Sequence, residues 1–151
     1  MRLPFMTAVT AALFMLTATA SHANWELRQA PGIAVIEQTV GPVNVTFQCL
    51  GAVKNRLNVS LNQQGGWSDY PRAVMIWMEQ PDGRIARHSM DSYPEDGQLS
   101  AELQTSDLVL EQLRNASALE FTIAGTGRTI VRTNASGTGA FRNAVLEQCG
   151  F

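Results

Sequence analysis

Few residues of this chain have side chains suited to covalent or acid–base chemistry, and their spacing narrows what that chemistry could be. Cys49 and Cys149 are the two cysteines. Neither belongs to a C-x-x-C pair and neither has a histidine close by, so the patterns of a redox dithiol or a zinc site are missing. Two cysteines in an exported chain most simply form one disulfide. A bond closing a loop of about 100 residues would be worth about 4–5 kcal/mol in the chain-entropy model. His88 stands beside Ser89 and close to Asp91, which invites a hydrolase reading. Adjacent residues of a strand point to opposite faces, however, so His88 and Ser89 would not meet, and no serine sits in a nucleophile elbow. Asp91, Glu95 and Asp96 form an acidic stretch. It could supply the carboxylates of a small envelope hydrolase, which is the alternative function, or it could form a calcium loop. Its spacing misses the EF-hand pattern and Pro94 interrupts it. Gly125-Thr126-Gly127-Arg128 reads as a hairpin turn. Ser136-Gly137-Thr138-Gly139 precedes a helix but lacks the lysine and spacing of a phosphate loop. No catalytic residue, metal ligand or cofactor is assigned from these patterns.

The remaining candidates are aromatic. Trp67 and Tyr70 lie in a glycine-rich loop, Asn62 to Pro71, and Trp77 lies in the apolar run that follows it. Large aromatics on loops serve as anchors for protein partners. They can equally fold back as a lid over a sheet, which removes apolar surface from water. Trp67, Tyr70 and Trp77 are therefore the candidate partner-binding residues. If Trp67 and Tyr70 are anchors, exchanging both for alanine should abolish partner capture without lowering the melting temperature.

The elements that must position these residues follow from hydrophobic period. Val43, Val45, Phe47 and Cys49 alternate with Asn44, Thr46 and Gln48, which predicts a strand with Cys49 on its apolar face. Leu57-Asn58-Val59-Ser60-Leu61 alternates in the same way and should pair with it. Ile33–Val40 reads as an earlier strand, entered from a short lead-in, Trp25 to Gln29, and the Pro31-Gly32 break. Gly41-Pro42 turns the chain between strands. Val74 to Glu79 is apolar at successive positions, as expected of a central strand covered on both faces. Gln80-Pro81-Asp82-Gly83 is a turn and Arg84–Met90 the return strand. Asp91 to Gly97 is expected to be a loop and Leu99–Leu103 a short strand. Thr105 or Ser106 can cap a helix reaching Ala116. Its acidic first turn (Asp107) and basic last turn (Arg114) suit the helix dipole. Leu119–Ile123 and Thr129–Thr133 form a hairpin. Phe141, Val145 and Cys149 share one face of a final helix, Ala140–Gln148. The expected order is six or seven strands, a helix, a hairpin and a helix. This is a mainly β fold: an antiparallel β-sandwich or half-open barrel with two short helices in the C-terminal half.

Residues 1–23 read as a secretory signal peptide. Arg2 supplies the positive charge, Ala8 to Ala20 the apolar core, and Ser21-His22-Ala23 small residues at the cleavage positions. The core is shorter than the roughly 20 apolar residues that a span needs. Residues 24–151 are then a single exported β-rich domain, periplasmic or secreted, with no membrane span after cleavage. Across the whole chain 11 Lys and Arg face 13 Asp and Glu, with 45% hydrophobic and 16% charged residues. This ordinary balance gives no basic excess that would suggest nucleic acid, and it is not the composition of a disordered chain.

The C-terminal half also carries a resemblance. Asp107-Leu-Val-Leu-Glu-Gln-Leu-Arg-Asn-Ala116, Leu119-Glu-Phe-Thr-Ile123 and Gly139-Ala-Phe-Arg-Asn-Ala-Val-Leu-Glu-Gln-Cys149 resemble the tail of the invasion-associated locus B family of Gram-negative bacteria. An early cysteine on a strand and a late one after a terminal helix are also similar to periplasmic proteins associated with type VI secretion. The order Gly139-Ala140-Phe141 departs from the Gly-Phe usual in the first family, as does the lack of mid-chain cysteines. The resemblance implies an exported antiparallel β domain with an adhesion, envelope or secretion-accessory role and no enzymatic residues. Together with the residues above, it leads to the expectation of a non-enzymatic binding or accessory protein of the cell envelope. Its partner would be an envelope or secreted protein.

Overall fold

The alternation that begins at Val43 is realised as β3 (Val43–Leu50), in which every second side chain is buried. A computed structural model describes residues 24–150 of the chain, so the signal-peptide expectation for residues 1–23 lies outside the described residues. Pro31-Gly32 and Gly41-Pro42 close two tight hairpins, joining β1 (Glu26–Ala30) to β2 (Ile33–Val40) and β2 to β3. β4 (Arg56–Gln63) pairs with β3, as its alternation requires. β5 (Ala73–Glu79) and β6 (Ile85–Glu95) form the next hairpin, followed by β7 (Gln98–Gln104), α1 (Asp107–Asn115), β8 (Ala118–Ile123), β9 (Thr129–Asn134) and α2 (Thr138–Cys149). The nine strands make one sheet in the order β1-β2-β3-β4-β7-β6-β5-β8-β9, with every pairing antiparallel. The sheet curls into a half-open barrel with both helices in the C-terminal half, one of the two architectures the sequence suggests.

Three segments differ from expectation. The lead-in at Trp25–Gln29 is largely an edge strand, β1, and four of its five residues are exposed. Its side chains thus carry no alternating burial, and pairing with β2 holds it in place. The acidic stretch from Asp91 is not a loop. β6 runs on to Glu95 and returns through a two-residue turn, Asp96-Gly97, with both residues at positive φ. This is the left-handed geometry that Asp-Gly supplies in hairpins. Pro94 is tolerated because β6 beyond Asp91 has β7 on one side and β5 no longer on the other. A residue without an N–H fits such an edge. Finally, β5 is covered on one face only. Val74, Ile76 and Met78 are fully buried, whereas Met75 and Trp77 on the other face are half-buried.

The core lies in the concavity of the sheet. Phe47 of β3 touches Phe121 of β8 and Phe141 of α2, with ring centroids 6.0 and 6.3 Å apart, and Trp25 covers Phe47 at 5.7 Å. Such tilted contacts between large rings add to the apolar area they bury. Ser106 is the N-cap of α1 and accepts a hydrogen bond from the Val109 amide at 3.3 Å. Thr138 docks α2 on α1 by donating from Oγ1 to the Leu113 carbonyl at 2.9 Å. Gly137 precedes α2 with φ 103°, and a Cβ there would lie 3.3 Å from the Trp25 Cβ. The positive φ favours glycine here, and a Cβ would also crowd Trp25. At the other end of α2, Cys149 is bonded to Cys49, with Cα atoms 6.2 Å apart. The Lys54 ammonium donates to the carbonyls of Cys149 and Gly150. A cation at this position satisfies C-terminal carbonyls and favours the helix dipole.

Candidate docking surface

The carboxylates singled out in the sequence do not converge. Asp91 and Glu95 lie on the same outer face of β6, four residues apart, which in an extended strand separates their backbones by about 13 Å. Glu95 accepts a hydrogen bond from Ser100 Oγ at 2.8 Å, and Asp96 sits in the hairpin turn. The carboxylate brought near Asp91 is Glu102 of β7. Both line an outer-face hollow of about 320 Å³ with Ser89, Tyr93 and Gln104. Glu102 is paired with Arg56 at 3.1 Å. Burial raises the pKa of the Tyr93 phenol, and the negative charges of Glu95 and Glu102 raise it further. The Asp96-Gly97 dipeptide was the signal that would have placed Glu102 and Tyr93 on neighbouring strands. His88 and Ser89 point to opposite faces: His88 turns inward, its Nε2 2.9 Å from Gln112 Oε1 of α1, and Ser89 is exposed. Among the described residues, no three of His, Cys, Asp and Glu gather where they could hold a metal ion. No described helix is long and apolar enough to cross a membrane.

The three candidate aromatics occupy two places. Trp67 folds back at one end of the half-barrel, where it packs on the core and donates from Nε1 to the Leu61 carbonyl at 3.1 Å. Tyr70 packs beside it, with ring centroids 6.4 Å apart. Both are half-buried, the arrangement of a lid. Trp77 stands on the outer face of β5. Its Nε1 donates to Thr122 Oγ1 at 2.9 Å, and the Arg87 guanidinium lies over its ring at 5.9 Å. Arg132 of β9 bridges Glu79 and Glu120 on the same face. Trp77 and Met75 are thus an apolar centre bordered by charged groups.

That centre extends to one end of the sheet. Ile85 opens β6 on the same face as Arg87, diagonal to Trp77, a spacing that long and aromatic side chains can bridge. Ile85 is 57% exposed and Leu108, in the first turn of α1, is 66% exposed; they are the two most exposed large hydrophobic residues of the described chain. They line one hollow of about 330 Å³, together with Ala86, Gln80, Gln112 and Arg84 among others. Scattered exposed apolar residues are ordinary; these two share one concavity. The sequence hid this because Leu108 and Ile85 come from distant segments.

No family model, no curated protein and no solved structure matches this chain.

Proposed function

We propose that this chain is an exported, non-enzymatic binding or accessory protein of the cell envelope, periplasmic or secreted, that docks a protein partner on the surface formed by Leu108, Ile85 and Trp77. The observation that carries the reading is the convergence of Leu108 and Ile85, the two most exposed large hydrophobic residues of the described chain, on one hollow. Interfaces of this kind draw their affinity from a few apolar and aromatic anchors within a polar rim. A partner that inserts an aliphatic or aromatic side chain between Leu108 and Ile85 would remove both from water. Arg87, which lies over the Trp77 ring, suits a carboxylate beside that side chain, whereas Arg84 is already paired with Asp82 at 2.6 Å. Export is supported by the N-terminal pattern of residues 1–23 and by a long-range disulfide, which persists in oxidising compartments. The resemblance of the C-terminal half to envelope and secretion-accessory families points the same way.

A photo-crosslinking amino acid at Ile85, in the chain expressed with its N-terminus intact, tests the reading in living cells. The expected result is one discrete adduct that disappears when Leu108→Asp is added, with none from the same probe at Asn62. An absent adduct, or one that survives Leu108→Asp, overturns the docking surface. Edman sequencing of the secreted or periplasmic product should begin at Asn24.

A further inference from the structure

The opposite end of the sheet, about 20 Å away along β5, carries a second site of different chemistry. Two hollows meet at Arg128, in the hairpin between β8 and β9. One, of about 150 Å³, is lined by Trp67, Gln63, Thr129 and Arg128 together with Pro42, Val43 and Ile130. The other, of about 300 Å³, is lined by Asp69, Pro71, Ile123, Thr126 and Arg128. Arg128 is exposed, and among the described residues no carboxylate comes within ion-pair distance of its guanidinium. Trp67 is brought to the first hollow by Gly65-Gly66. Both glycines have left-handed φ and open space around them, which lets the chain reverse beneath the loop.

From this combination we infer that the mouth of the half-barrel binds a carboxylate-bearing sugar. The mouths of β-barrels are common ligand sites, built from aromatic surface with a few oriented polar groups. An indole presents a flat, electron-rich face to the C–H face of a pyranose ring. Gln63 can exchange hydrogen bonds with ring hydroxyls, and the Thr129 hydroxyl, which donates to Glu120 at 2.6 Å, can accept one. A guanidinium with no carboxylate of its own is suited to bidentate pairing with a sugar carboxylate. The smaller hollow has the volume of about five water molecules, which is space for one ring seated partly in solvent. Asp69 is the one anionic group lining either hollow. It lies in the larger one, so the carboxylate belongs on the Trp67 side of Arg128.

The test is an NMR titration of the three tryptophan indole N–H signals, assigned with Trp67→Phe. The probes are N-acetylmuramic acid and N-acetylglucosamine, a pair that differs by one carboxylate-bearing ether. The expected result is a saturable shift of the Trp67 signal with N-acetylmuramic acid, while the Trp25 and Trp77 signals stay in place. Affinity should fall about tenfold, the equivalent of about 1.4 kcal/mol, with N-acetylglucosamine or in Arg128→Gln. Arg128 is exposed, so that variant keeps its fold. No Trp67 shift up to about 10 mM of the acidic sugar, or equal affinity for both sugars, overturns the proposal. Leu108→Asp should leave the titration unchanged, which separates this site from the docking surface.

Discussion

Trp25 and Asn134 are 109 residues apart, yet the Trp25 indole donates to the Asn134 carbonyl at 2.9 Å. The bond joins the residue just before β1 to the last residue of β9, the two ends of the strand order. Beside it, Thr133 Oγ1 of β9 donates to Gln38 Oε1 of β2, and both residues are buried. Side chains therefore link the two ends of the half-open barrel where backbone pairing stops.

Removing one of these bonds should loosen β9 before anything else. Thr133→Val and Trp25→Phe are each expected to cost about 1 kcal/mol, the net worth of a hydrogen bond. Hydrogen exchange would report the effect as faster exchange of the amides of residues 130–134, with the β3–β4 amides unchanged. Uniform acceleration across the sheet would show that the seam is not a local closure.

The covalent link acts at the other end of α2. Cys49→Ser with Cys149→Ser should lower unfolding free energy by up to about 4–5 kcal/mol, since the bond closes a very long loop. Urea denaturation of the wild-type protein with and without reductant should show the same difference. Lys54→Met is expected to cost about 1 kcal/mol by removing the cation from the last helical carbonyls. A double cysteine variant as stable as the oxidised protein would mean that non-covalent contacts, the packing of Phe141 and Val145 among them, hold α2.

Much of this architecture was legible in the sequence wherever one face of an element is buried. The alternation from Val43 to Cys49 placed β3 and put Cys49 on its buried face. Ser106, Asp107 and Arg114 marked α1 because caps and charges act locally. The gaps arose where the signal was not local. β1 is exposed on nearly all sides and has no hydrophobic period. Pro94 and its acidic neighbours looked like loop because it is the neighbouring strands, not the residues, that decide whether a proline fits. Met75 and Trp77 suggested a covering layer, but both helices turn into the concavity and leave them outside. The candidate site followed the same division: Trp77 was identified as a residue, while Ile85 and Leu108 depended on how β6 and α1 meet.

Trp67 and Leu108 should separate stability from binding. Trp67 packs on the core and bonds to the Leu61 carbonyl, so Trp67→Ala should cost about 2 kcal/mol, below the range for a fully buried aromatic. The melting temperature should fall with it, contrary to what a free loop anchor would give. Leu108→Asp should change stability by no more than about 0.5 kcal/mol and act on partner binding alone. Calorimetry of the two variants decides the matter. A Trp67→Ala protein with unchanged melting would make that residue an exposed anchor after all.

The hollow between β6 and β7 predicts an alkaline signature. Burial, and then the charges of Glu95 and Glu102, hold the Tyr93 phenol above its ordinary value of 10.0. The folded state therefore favours the protonated phenol. Its contribution to stability is fully present below pH 10 and is lost as pH rises through the higher folded value. Absorbance titration of the phenolate should show a component ionising above pH 10 that disappears in Tyr93→Phe. In Glu102→Gln the same component should move down toward 10, because one nearby negative charge is gone. Glu102→Gln also releases Arg56 from its ion pair, and the freed cation would lower the phenol further in the same direction. A Tyr93 component that stays in place in Glu102→Gln would leave burial and the Glu95 charge as the causes and would place the Glu102 carboxylate outside the hollow.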